Sequence, residues 1–133
     1  MRHRGFTLIE MAVAAAAVAV LLTIALPTFQ GRLAEGRRAD ATHALERIQI
    51  AQERYRSAHG LYASQLQPLG SSGNSPEGLY EMTLDTGPGE SYTAVARARA
   101  DGPQANDTAC GEITLRVDQG FATLGPAPRC WNR

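Results

Sequence analysis

Charge and hydropathy divide the chain into three stretches. Residues Met1 to Gly5 are short and basic, with Arg2, His3 and Arg4. Phe6 to Gly31 carries a single charge, Glu10, and the 21 residues from Met11 to Gly31 carry none. A helix needs about 20 apolar residues to cross a bilayer, so this run is long enough. From Ala39 the pattern turns amphipathic. Leu45, Ile48, Tyr55 and Tyr62, with Ala41, Ala44 and Ala51 between them, recur at spacings of three, four and seven and form one apolar stripe. Arg38, Asp40, Glu46, Arg47, Glu53, Arg54 and Arg56 cover the other sides, and Glu53 and Arg56 are spaced to pair. Together these stretches predict one long helix from Phe6 to His59, stopped by Gly60. Pro27 predicts a kink or a missing hydrogen bond inside it, and Gly31 and Gly36 are further weak points.

Beyond His59 the composition shifts. Ten of the 13 glycines and six of the seven prolines lie from Gly60 onward. Gly60 to Gly78 reads as a loop pinned to a core by Leu61, Tyr62, Leu66 and Leu69, whose regular spacing argues against a disordered linker. Three alternating runs follow. Tyr80, Met82 and Leu84 alternate with polar residues, as do Ile113, Leu115 and Val117; Tyr92, Ala94, Ala96 and Ala98 alternate with Thr93, Val95, Arg97 and Arg99. Period two predicts strands with one buried face. Gly87-Pro88-Gly89 and Asp118-Gln119-Gly120 supply turns, and Phe121 to Leu124 a short fourth strand. The fold class is α+β, a long N-terminal helix packed on a C-terminal antiparallel sheet of about four strands.

Bulk properties narrow the function. A chain of 133 residues holds one domain with a modest core. Its 13 basic side chains, all Arg, balance 13 acidic ones, and loss of residues 1–5 would leave 11 against 13, a net −2. That total does not demand nucleic acid as an obligatory partner. Cys110 and Cys130, behind a membrane-type N-terminus, read as a disulfide formed in an oxidising compartment; two unpaired thiols are the alternative. His3, His43 and His59 are too scattered for a local metal pair. Asp101, Asn106 and Asp107 could offer oxygen ligands, but turn chemistry accounts for them more simply. No phosphate loop or nucleophile motif occurs. An enzyme is the least favoured class, and neither a cofactor nor a metal is expected.

The apolar run is too long for a signal-peptide core, and Arg2 and Arg4 place the N-terminus in the cytoplasm. A single span with its body in the periplasm or beyond follows. Glu10 near the start of that span costs roughly 3 kcal/mol in lipid, so it calls for a partner. Gly5-Phe6-Thr7-Leu8-Ile9-Glu10 resembles the processing signal of type IV pilins. The resemblance implies cleavage after Gly5 by a prepilin peptidase, methylation of the new N-terminal Phe6, and pairing of Glu10 with the Phe6 ammonium of a neighbouring subunit. Pro27 matches the family. The glycine that many filament-forming relatives carry eight residues earlier is Ala19 here. The Tyr-x-x-x-Leu-x-x-Leu-Gly spacing from Tyr62 to Gly70 resembles the PilE-type minor pilins. The Cys110-Gly111 to Cys130-Trp131 pattern is similar to the disulfide-bonded C-terminal region of the family.

The resemblance implies a leader at 1–5, a transmembrane and filament-core helix half at 6–31, and a periplasmic pilin domain at 32–133. It implies a structural subunit, more a minor than a major pilin, that supports twitching motility, adhesion or DNA uptake. Other pilin subunits, the inner membrane, the prepilin peptidase and the pilus assembly platform would be its partners. The finished product would be an extracellular pilus. Arg97 and Arg99 should share a sheet face, with Arg116 joining them from a nearby strand; an ordinary solvated face is the simpler reading, and a basic patch there would suit DNA or anionic surface polymers. The rivals are a type II secretion pseudopilin and a DNA-binding competence pilin.

Overall fold

A computed structural model describes residues 5–87 and 90–132. The leader residues 1–4 and the Pro88-Gly89 part of the predicted turn lie outside that range. The elements are α1 (Leu8–His59), β1 (Tyr80–Thr86), β2 (Ser91–Ala98), β3 (Glu112–Asp118) and β4 (Phe121–Gly125), with 3-10 turns at Gln67–Leu69 and Pro128–Trp131. The chain divides between Leu33 and Ala34 into two units, and α1 contributes to both.

The N-terminal unit is the apolar half of α1. Leu8, Ile9, Met11, Val13, Leu21, Ile24 and Phe29 are all exposed. The helix starts with a reciprocal cap. The Glu10 carboxylate accepts from the Thr7 amide at 2.8 Å and the Thr7 hydroxyl at 2.9 Å, while the Glu10 amide donates to the Thr7 hydroxyl oxygen at 3.3 Å. Thr7-x-x-Glu10 is thus a capping box that satisfies two amides a helix start would otherwise leave open. The resemblance gives Glu10 a partner in another subunit; the structure adds Thr7 as one within its own chain. α1 continues through Pro27.

In the C-terminal unit the four strands form an antiparallel sheet in the order β1-β2-β3-β4. Its inner face presents Tyr80 and Met82, Tyr92, Ala94 and Ala96, then Ile113, Leu115 and Val117, and these pack in one core with Ala41, Ala44, Leu45 and Ile48 of α1. The alanines let helix and sheet approach closely, and each buried Leu or Ile side chain stabilises by about 1.5–3 kcal/mol. The β3–β4 turn needs two residues, because Asp118 pairs with Phe121. Gln119 (φ 48) and Gly120 (φ 85) both take left-handed backbone, as a two-residue hairpin turn of this hand requires.

Three expectations need correction. Leu61 is 59 % exposed and tethers nothing, whereas Tyr62 is buried and Leu66 and Leu69 pack partly against the core. Asp40, placed among the solvated helix positions, is buried, as is Gln52. Arg99 lies beyond the end of β2. The two buried polar residues are tolerated because the loop after α1 satisfies them. Gln52 pairs with the Ala63 backbone as a neighbouring strand would, its amide nitrogen donating to the carbonyl at 2.9 Å and its oxygen accepting from the N–H at 2.8 Å.

Candidate functional site

The outer face of the sheet carries the arginines weighed against a plain solvated face as a basic patch. Strand register and exposure put Glu81 and Asp85 of β1, Arg97 of β2, and Glu112, Arg116 and Asp118 of β3 on it. Four carboxylates therefore stand against two arginines. Arg97 donates to Glu112 directly across the ladder at 2.7 and 3.1 Å. Arg116 lies 4.0 Å from Asp118. Arg116 faces Thr93, four residues along β2 from Arg97, so the two arginines are about 13 Å apart along the strands. Arg99 is turned onto Asp101, with two contacts of 3.1 Å. That pairing raises the Arg99 pKa and holds the Asp101 carboxyl below its ordinary value. The structure does not bring Arg97, Arg99 and Arg116 together, and the face weighed as a basic patch carries an excess of acid.

A different surface has the right chemistry. The loop from Leu69 to Pro76 runs beside α1 and leaves a groove of about 490 Å³. One wall is the helix, with Arg47 and Arg54; the other is the loop, with Ser71, Ser72 and Asn74. Arg47 and Arg54 are seven residues apart, two helical turns, and so project from one face about 10.5 Å apart along the axis. Both are exposed. The lining contains no carboxylate. Among the described residues neither arginine forms one of the ion pairs that occupy Arg38, Arg56, Arg97, Arg99 and Arg116. A guanidinium fork matches a phosphate, and hydroxyl and amide groups bond both phosphates and base edges. The i,i+7 arginine pair was visible in the sequence, but the loop that turns it into a groove was not.

The loop wall is anchored to the same helix. The buried Asp40 carboxylate accepts from the Ser75 hydroxyl, from the Glu77 N–H at 2.9 Å and from the Leu79 N–H at 3.3 Å. Gly73 and Ser75 are hydrogen-bonded to β1 on either side of the Asn74–Glu81 bridge, Met82 N–H to Gly73 O at 2.8 Å and Ser75 N–H to Tyr80 O at 2.9 Å.

Two more networks fix the ends of the domain. A few residues after Ala34, where the C-terminal unit's share of α1 begins, Arg38 makes a bidentate pair with Asp107 at 2.8 and 3.0 Å and donates to Arg129 O at 3.3 Å. This hydrogen bonding raises the Arg38 pKa. Gln104 Nε2 donates to Tyr80 Oη at 2.9 Å and to Ala34 O at 3.1 Å. At the other end the Tyr62 hydroxyl donates to Glu53 at 3.0 Å, and Arg56 reaches Glu90 at 2.7 Å while lying over the Tyr62 ring. Burial is the main cause that raises the Tyr62 pKa. The expected Glu53–Arg56 contact is present at 3.8 Å.

The remaining candidates are simpler. Cys110 and Cys130 form a disulfide with their Cα atoms 5.5 Å apart, buried beside Trp131, whose indole N–H donates to Gly125 O at 2.9 Å. Asp107, weighed as a loop ligand, is committed to Arg38. Among the described residues no cluster of three His, Cys, Asp or Glu side chains is placed to hold a metal ion.

Two family profiles match the chain. Residues 27–114 match the family described as type IV minor pilin ComP, DNA uptake sequence receptor. Residues 1–26 match the prokaryotic N-terminal methylation motif. No curated protein sequence matches the chain.

Proposed function

The chain belongs to the type IV minor pilin family, and from that premise we propose that it is the DNA-receptor subunit of a type IV pilus, holding the phosphate backbone of incoming DNA between Arg47 and Arg54. The chain is a structural pilin subunit, not an enzyme. Its membrane-anchored form is later assembled with other pilin subunits into an extracellular pilus. In this reading the prepilin peptidase cuts after Gly5 and Phe6 is methylated. The apolar half of α1 then leaves the bilayer, handed on by the assembly platform, and packs among copies of the same kind of helix, with Pro27 in the packed segment. Before assembly the N-terminus faces the cytoplasm and residues 32–133 the periplasm.

The capping box bears on how assembly proceeds. Glu10 is satisfied by Thr7 while the subunit waits, so the carboxylate need not stay unpaired in lipid. On assembly it exchanges that local bond for the Phe6 ammonium of a neighbour.

The observation that carries the DNA assignment is the groove itself: two arginines outside the ion pairs, a hydroxyl-rich facing wall and no carboxylate in the lining. The family description names a DNA uptake sequence receptor, which favours this reading over a type II secretion pseudopilin. The acidic balance of the sheet face argues against DNA lying there. The test uses filaments sheared from a strain that makes the chain and from one that lacks it. Filaments containing it should begin at methylated Phe6 by mass spectrometry and should co-sediment labelled duplex DNA. DNA that sediments equally with filaments lacking the chain would refute the proposal.

A further inference from the structure

Asp40 is the one carboxylate on α1 buried in the core region, and nothing in the family description gives it a task. A buried charge is costly unless hydrogen bonds satisfy it. Here all three of its partners, the Ser75 hydroxyl and the Glu77 and Leu79 amides, come from a single turn of the loop. Ser75 passes the constraint on: its hydroxyl oxygen accepts from the Tyr80 N–H at 2.9 Å, and its backbone pairs with Tyr80 and Gly78. That turn directly follows Asn74, and Asn74, Ser75 and Pro76 are part of the groove's loop wall. Arg47 and Arg54 stand about two and about four turns further along the helix that carries Asp40. Both walls of the groove are therefore referenced to α1, one by side chains projecting from it and the other through the Asp40 carboxylate.

We propose that Asp40 is the positioning residue of the DNA groove: it fixes the Ser71–Pro76 wall at the distance from Arg47 and Arg54 at which one DNA backbone contacts both. Asp40 touches no DNA. The inference rests on the reading that the groove takes DNA. Its consequence is a division of labour. The helix wall supplies the salt-dependent phosphate contacts, and the loop wall supplies hydrogen bonds that depend on geometry rather than on ionic strength. Preorganisation of a binding wall raises affinity by removing the ordering cost at the moment of binding.

The test compares the full-length processed chain in detergent as wild type, Asp40→Asn, Ser75→Ala and the Arg47→Gln/Arg54→Gln double variant. The probe is a 20-base-pair mixed-sequence duplex, titrated across a range of salt concentrations. Asp40→Asn should weaken binding about tenfold, the equivalent of one lost ordering contact of about 1.4 kcal/mol, with the log-affinity against log-salt slope and the active fraction unchanged. Ser75→Ala, which keeps the two amide bonds to Asp40, should lie between wild type and Asp40→Asn. The arginine pair should instead flatten the slope. If the arginine variant weakens binding while Asp40→Asn and Ser75→Ala bind like wild type, the groove stands and the role of Asp40 falls. If the arginine variant is without effect, the groove reading itself falls. Should Asp40→Asn lose its fold, Ser75→Ala decides: wild-type affinity in that variant overturns the proposal.

Discussion

Removing Asp107 should be among the most destabilising single changes in the C-terminal unit. The Arg38 and Asp107 side chains are 13 % and 5 % exposed, so the pair is held largely out of water. Both carboxylate oxygens are engaged in the bidentate contact, and Gln104 Nε2 lies 3.5 Å from one of them. Truncation to Ala leaves the guanidinium with the Arg129 carbonyl as a hydrogen-bond acceptor and the Glu35 charge nearby, and breaking such a pair costs about 3–5 kcal/mol. A unit of about 100 residues loses about 4–8 °C of Tm per kcal/mol, so Asp107→Ala should lower Tm by at least about 12 °C. Thermal unfolding followed by circular dichroism, with the disulfide intact, measures this. The double variant Arg38→Met/Asp107→Leu should recover most of the loss, because no charge is then left buried. A loss below about 1 kcal/mol for Asp107→Ala would show that the pair is solvated and weak, and would refute the reasoning.

Reducing the Cys110–Cys130 disulfide, which closes 20 residues of chain, should cost about 3 kcal/mol, read as a lower urea midpoint under reductant; an unchanged midpoint would contradict it. The Tyr92 hydroxyl is buried with no partner among the described residues, and burial raises its pKa. A raised folded-state pKa contributes stability that is complete below the ordinary tyrosine value of 10 and declines as pH rises above it. Tyr92→Phe should therefore be neutral or stabilising at pH 7 and should lessen the alkaline decline, whereas a loss of more than about 1 kcal/mol at pH 7 would reveal a partner for the hydroxyl. Glu10→Val should give a membrane-inserted protein that enters filaments poorly; normal incorporation, measured by immunoblotting sheared filaments, would remove Glu10 from assembly.

Periodicity made the scaffold readable. The four strands and the Ala41–Ile48 stripe follow from alternation and from three- and four-residue spacing, because burial on one face is the force that places them. The disulfide followed from compartment logic. What stayed hidden was polar and long-range. Asp40, Gln52 and Arg38 look like solvated helix positions in the sequence, and only the returning loops, at Ser75, Ala63 and Asp107, make them interior. The same limit applies to the arginines of the sheet. Arg97 and Arg116 alternate correctly onto one face, but pairing Arg97 with Glu112 depends on strand register, which sequence pattern alone does not fix. Arg47 and Arg54 read as ordinary surface positions in the sequence, which does not show the 69–76 loop beside them.

The most direct measurement is the salt dependence of duplex DNA binding by the full-length processed chain, wild type against Arg47→Gln/Arg54→Gln and against Arg97→Gln/Arg116→Gln. Each phosphate contact contributes about 0.9 to the slope of log affinity against log salt. Phosphate binding in the groove requires that the groove variant lose about 1.8 from that slope and bind more weakly at every salt concentration, while the sheet-face variant keeps the wild-type slope. A wild-type slope in the groove variant, or the loss falling on the sheet-face variant instead, would contradict it.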